Sequence, residues 1–179
     1  ATFNGNTTTT GGGAIPAGTL HGTGTLTLGA PLTLSGGDLR GTGTLTANGG
    51  ANLTGNVSLH DGQTLSLAGN STWSGGTLYT GTGAILNNSG VLTNTANTSF
   101  YNYYGGTKLT FNNSGTFTKS TATGDTALDG TVHNTGTISV QSGSVSLSAG
   151  GINSATAVVS TASGATLRFT GGTFTLDQG

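Results

Sequence analysis

The tightest constraint on the fold lies between residues 22 and 46, because that stretch contains its own beginning again. Gly22-Thr23-Gly24-Thr25-Leu26-Thr27 returns as Gly41-Thr42-Gly43-Thr44-Leu45-Thr46, a repeat of about 19 residues. Within it Leu26/Leu28 and Leu32/Leu34 alternate with Thr, the pattern of short half-buried strands, and glycines punctuate the turns. A unit this short cannot bury its apolar side alone and must stack on copies of itself.

Followed along the chain, the apolar residues form three ladders. One runs Leu34, Leu53, Trp73, Leu92, Phe117, Ile138 and Val159, a second Leu26, Leu45, Leu65 and Ile85, and a third Leu39, Leu59, Leu78, Phe100 and Leu128. Three ladders per repeat predict three strands per coil, each in its own sheet, with like strands parallel and about 4.8 Å apart. The expected fold is all-β: a right-handed parallel β-helix (β-solenoid) of about eight coils of roughly 19–25 residues, its hand following from the crossover rule. Helix is excluded because no window shows a 3.6-residue period and Gly and Thr are poor helix formers. Residues 1–179 read as one solenoid domain. Residues 1–21 form an irregular first coil, with residues 7–13 too polar and glycine-rich for a strand, and residues 22–179 form regular coils. Both chain ends fall in repeat-like sequence, so the domain reads as a segment of a larger protein. Trp73, on an inward ladder, is expected in the core.

Composition narrows the partners. The chain carries 35 glycines, only 5% charged residues and a net charge of −1, which offers no general attraction to nucleic acid or to an anionic membrane. There is no cysteine, hence no disulfide framework and no thiolate chemistry. No apolar run is long enough to insert in a membrane as a helix. Asn88, Asn113 and Asn134 recur in Leu86-Asn87-Asn88-Ser89-Gly90, Phe111-Asn112-Asn113-Ser114-Gly115 and Val132-His133-Asn134-Thr135-Gly136. They are expected to form a ladder of amides at one corner of successive coils, with the glycines supplying positive φ.

The half carrying FNNSGTFTKS, VHNTGTISVQSGSVSLSAGG and ATLRFTGGTFTL resembles the Asn-Ser/Thr-Gly-Thr repeats of large bacterial surface proteins of the filamentous-haemagglutinin and autotransporter-passenger type. The resemblance covers most of the chain, more loosely before residue 84. It implies a bacterial extracellular setting, as an adhesin, a surface fibre or a carrier of other domains.

Reactive chemistry is sparse. Five aspartates share no short motif, and His21, His60 and His133 are isolated, so neither a catalytic set, a metal site nor a cofactor site is readable. GTGTLTLG lacks the lysine and helix of a phosphate loop. One outward stripe is a candidate for ligand binding. If the third ladder points inward, Arg40, His60, Tyr79, Tyr101 and Asp129 stack on one outer face, extended by Tyr103 and Tyr104 in a coil about five residues longer than its neighbours. Exposed aromatics beside polar groups suit glycans or a protein surface. The same tyrosines could instead cover the core at a distorted coil. A second stripe, Thr25/Thr27, Thr44/Thr46 and Thr64/Ser66, resembles the ice-binding face of antifreeze β-helices, but it ends at Ala84 and Leu86. The expected function is therefore a non-catalytic, structural or adhesive rod that stacks end to end with itself. The alternatives are glycan binding or degradation on the tyrosine face, and ice binding by the threonine rows.

Overall fold

A computed structural model describes residues 1–177. All regular structure is β-strand, two to four residues per strand, arranged as three parallel sheets of nine, nine and eight strands. Each turn of the chain contributes one strand to each sheet, giving eight full coils and a ninth with two strands. Such strands are too short to be stable alone; each is held by backbone bonds to the equivalent strand one coil away. The first sheet includes Asp38–Gly41 and Val57–His60, the second Thr44–Ala47 and Thr64–Leu67, and the third Ala51–Leu53 and Asn70–Trp73. Thr7–Thr9 is also a strand, paired in register with Thr25–Leu28. Its polarity does not prevent this, because the pairing is made by backbone groups.

Alternation along each strand decides what faces inward, and the register decides which inward residues stack. In the third sheet Leu34, Leu53 and Trp73 do stack, but the row continues to Asn94, Lys119, Val140 and Thr161. Leu92, Phe117, Ile138 and Val159 form a parallel inward row that begins at Leu32 and Ala51. The expected ladder thus spliced two rows two residues apart. In the first sheet the same slip occurs: Leu39 and Leu59 lead to Thr80, while Leu78, Phe100 and Leu128 descend from Val57. In the second sheet Leu65 is followed by Leu86, Phe111 and Val132, and Ile85 faces outward beside Thr64. Leu86 wins the inward place because Asn88, two residues on, is also inward.

The interior is closed along most of the rod, with Leu34, Leu45, Leu59, Leu65 and Leu67 having no exposed surface. Trp73 is 1% exposed and stacks on Phe100 at 5.3 Å, and Phe111 and Phe117 continue the aromatic column at 5.7 and 5.9 Å. At either end of the described chain the apolar layer is open, at Ile15, Leu20 and Leu26 on one side and at Val159, Phe169 and Leu176 on the other.

The asparagine ladder is present, buried, and one member longer than expected. Asn88 Nδ2 donates to Asn113 Oδ1, Asn113 Nδ2 to Asn134 Oδ1, and Asn134 Nδ2 to Asn153 Oδ1, each at 2.7 Å. The second amide hydrogens of Asn88 and Asn113 reach the corner carbonyls of Thr116 and Thr137, at 3.0 and 2.9 Å. Glycine follows each corner for a different reason than positive φ. Gly90, Gly115 and Gly136 have ordinary φ, but a Cβ on Gly115 or Gly136 would lie 2.0 or 2.1 Å from the carbonyl oxygen of the glycine one coil below. Close approach of stacked backbones excludes a side chain there.

Candidate functional site

The outer face of the first sheet carries the expected stripe as two adjacent rows. His21, Arg40 and His60 align in one, and Thr19, Asp38, Ser58, Tyr79 and Tyr101 in the other. The slip at Leu59/Thr80 is the cause: it places Tyr79 over Ser58 rather than over His60. Asp129 follows Leu128, the partner of Phe100, and so lies on the same face one coil beyond Tyr101.

The five-residue surplus of the long coil forms a strap between the strands Ser99–Tyr101 and Thr110–Asn113. It folds back over the two preceding coils. Backbone bonds fix it against the corner after Thr77–Thr80: Tyr104 N donates to Thr80 O, Thr82 N to Gly105 O and Gly83 N to Thr107 O. Tyr104 stacks on His60, ring centroids 3.9 Å apart, and donates its hydroxyl to Ser58 Oγ at 2.9 Å. The far end of the strap is held forward, Lys108 Nζ donating to Asp129 Oδ1. Tyr103 meets Tyr79 at 5.5 Å and Tyr104 at 5.2 Å, and Tyr79 meets Tyr101 at 6.2 Å, all edge-on. A shallow depression is lined by Ser58, Tyr79, Tyr103 and Tyr104. These tyrosines do not seal the interior. The sheet beneath them is already closed by Leu59, Leu78 and Phe100, and Tyr101 and Tyr103 remain 54% and 64% exposed.

The charges beside the tyrosines are paired with one another. His60, buried under Tyr104, directs Nε2 to Asp38 Oδ1 at 2.7 Å and Nδ1 to Asp61 Oδ2 at 3.1 Å. The His60 hydrogen bond holds the Asp61 carboxyl below its ordinary pKa; burial opposes it, and the His60 charge, Thr82 and Arg40 add smaller lowering effects. Arg40 lies 3.7 Å from Asp38. Burial would raise Asp129, but hydrogen bonds from Lys108 and Ser148, the Lys108 charge and a backbone bond from Asn102 outweigh it and the pKa falls. Both ring nitrogens of His60 face carboxylates, and among the described residues no three His, Asp, Glu or Cys side chains converge as a metal set.

Two features lie outside what sequence reasoning found. Lys119 is fully buried, where the inward row turns polar. Its Nζ donates to Ala96 O at 2.9 Å, Thr126 Oγ1 at 3.0 Å and Asn97 Oδ1 at 3.3 Å, so all three ammonium hydrogens have acceptors. Asn94 completes the cluster, accepting from Thr126 Oγ1 and donating to Thr98 Oγ1. Desolvation lowers the Lys119 pKa, partly opposed by the Asp125 charge. The signal was available in the alternation of Thr116-Phe117-Thr118-Lys119, which gives Lys119 the inward parity of Phe117.

The threonine rows also differ from expectation. On the second sheet Thr25, Thr44 and Thr64 are interrupted by Ile85 and resume at Thr110 and Thr131, while Thr27, Thr46 and Ser66 pass into Asn87, Asn112 and His133. The more regular row lies on the third sheet: Thr33, Asn52, Thr72, Thr93, Thr118, Ser139 and Ser160. The fold therefore defines a parallel β-solenoid with hydroxyl- and amide-bearing outer faces and one aromatic strap. Compared with known proteins, the chain matches no family model, no curated protein and no solved structure.

Proposed function

We propose that this chain is a stiff, non-catalytic segment of a bacterial extracellular fibre or surface protein, holding other parts of that protein away from the cell. The observation that supports this reading is the unbroken register of all three sheets, so that bending the rod at any coil means breaking backbone bonds on some side. Nine parallel strands at about 4.8 Å give a rod about 40 Å long. Its outer faces are largely neutral Thr, Ser and Asn, which limits nonspecific attraction. The sequence resemblance to bacterial surface repeats supports the setting. The open apolar layers would be continued by further coils or by a second copy stacked end to end.

Antibodies raised against the purified 179-residue chain test this directly. Labelling of intact producing cells, in projections that sediment as elongated particles, is the expected result. Labelling that requires permeabilised cells would overturn the proposal.

A further inference from the structure

The strap raises a question that the rod reading leaves unanswered: why four tyrosine rings are gathered outside a sheet whose core is already closed. We infer that the face formed by Ser58, Tyr79, Tyr101, Tyr103 and Tyr104 is a binding site for a neutral polysaccharide, its chain running along the rod axis. Three observations carry this. First, the rings are fixed, not incidental: the strap is tied down at Tyr104 by Ser58 and His60 and at Lys108 by Asp129, and the rings buttress one another edge-on. Holding aromatic groups rigid in water lowers the ordering cost of binding.

Second, the chemistry offered is apolar ring surface interleaved with hydroxyls. The hydroxyls of Tyr79, Tyr101 and Tyr103 make no hydrogen bond to protein among the described residues. A pyranose presents C–H groups on its faces and hydroxyls around its rim, so its faces suit the negative face of an aromatic ring while its rim meets the free phenols. Third, the charges are complementary to a neutral ligand. Asp38 and Asp61 are satisfied by His60 and Arg40, and Asp129 by Lys108, so the cations beside the tyrosines, Arg40, His60 and Lys108, are each already paired with a carboxylate rather than free for a uronate or sulfate. The depression is shallow and Ser58, Tyr79 and Tyr101 succeed one another at the inter-coil spacing, which favours a chain lying along the surface over an enclosed small molecule.

The test titrates the intact chain with hexamers of β-1,4-glucan and α-1,4-glucan, and with an oligogalacturonate of equal length, following tyrosine ring resonances by NMR. At least one neutral hexamer should bind, and Tyr101→Ala and Tyr103→Ala should each weaken it by about tenfold with unchanged thermal midpoints. Tyr104→Phe, which keeps the stack on His60 but loses the bond to Ser58, should weaken it less. Preference for the galacturonate, binding unaltered in both alanine variants, or no binding of either neutral hexamer at millimolar concentration would each overturn the inference.

Discussion

The asparagine ladder makes a prediction with a built-in internal control. Asn113 sits in the middle, accepting from Asn88 and donating to Asn134, both at 2.7 Å, in a fully desolvated row. Asn113→Leu would leave Asn134 Oδ1 without its donor and Asn88 without its acceptor. At about 1–3 kcal/mol for each buried group left unpaired, the loss should be about 4 kcal/mol. For a chain of this length that lowers the thermal midpoint by roughly 8–16 °C. Asn88 is the first rung: the residue stacked before it is Leu67, and its own Oδ1 has no partner among the described residues. Asn88→Leu thus removes one orphaned acceptor while creating another at Asn113, and should cost no more than about 1–2 kcal/mol. Trp73, the only tryptophan, is buried one coil below Asn88 and reports both variants by its fluorescence on heating. If Asn113→Leu is as stable as the parent, or Asn88→Leu the more damaging, the ladder does not hold the corner as described.

Three further outcomes are expected. Gly50→Ala should lose at least about 3 kcal/mol by urea denaturation, since Gly50 has φ +86° and an added Cβ would fall 1.9 Å from Asn70 O, whereas Gly5→Ala, in open space, should stay within about 0.5 kcal/mol. Because the folded Asp129 pKa lies below its ordinary 3.8, the Lys108–Asp129 tie is fully present above that value and lost as pH falls through the lower folded value; the urea midpoint should fall more steeply with acid in the parent than in Asp129→Asn. Lys119 changes stability in the same direction with pH, but in an alkaline window and for a different reason, because burial disfavours its charged form. Its folded pKa is below 10.5, so the unfolded chain holds the proton more tightly, stability rises with pH up to that value, and the rise should shrink in Lys119→Met. A midpoint that rises equally in parent and variant would contradict the buried ammonium.

What could be read from the sequence, and what could not, divides along the physics of the strand. Inward parity is a two-residue alternation, visible in Leu26-Thr27-Leu28 or Thr116-Phe117-Thr118, and it yields three sheets, a buried Trp73 and the corner asparagines. Register between coils is a different quantity. Leu92 and Asn94 both point inward, so placing Leu92 next above Trp73 violates no alternation and is settled only by the corner geometry between them. Ile85-Leu86 offered two apolar residues for one inward place, and the choice rested on Asn88. The strap was legible as surplus length with tyrosines, but its fold was not. Tyr104 reaches Ser58 across 46 residues and two coils, and no periodicity in the loop encodes that contact. Lys119 was missed because a charged side chain is ordinarily read as solvated, although its position in the alternation put it inside.

The register is the centre of the account, and an interval along the third sheet measures it most directly. Thr33, Asn52, Thr72, Thr93, Thr118 and Ser139 follow one another as strand partners on the outer face. With no native cysteine, Thr33→Cys and Ser139→Cys can each carry a spin label. Pulsed dipolar spectroscopy should then return one narrow distribution centred at about 24 Å, five inter-strand steps of the solenoid. A broad distribution, or a centre displaced by a coil spacing or more beyond the width of the label, would contradict a rigid rod of stacked coils in this register.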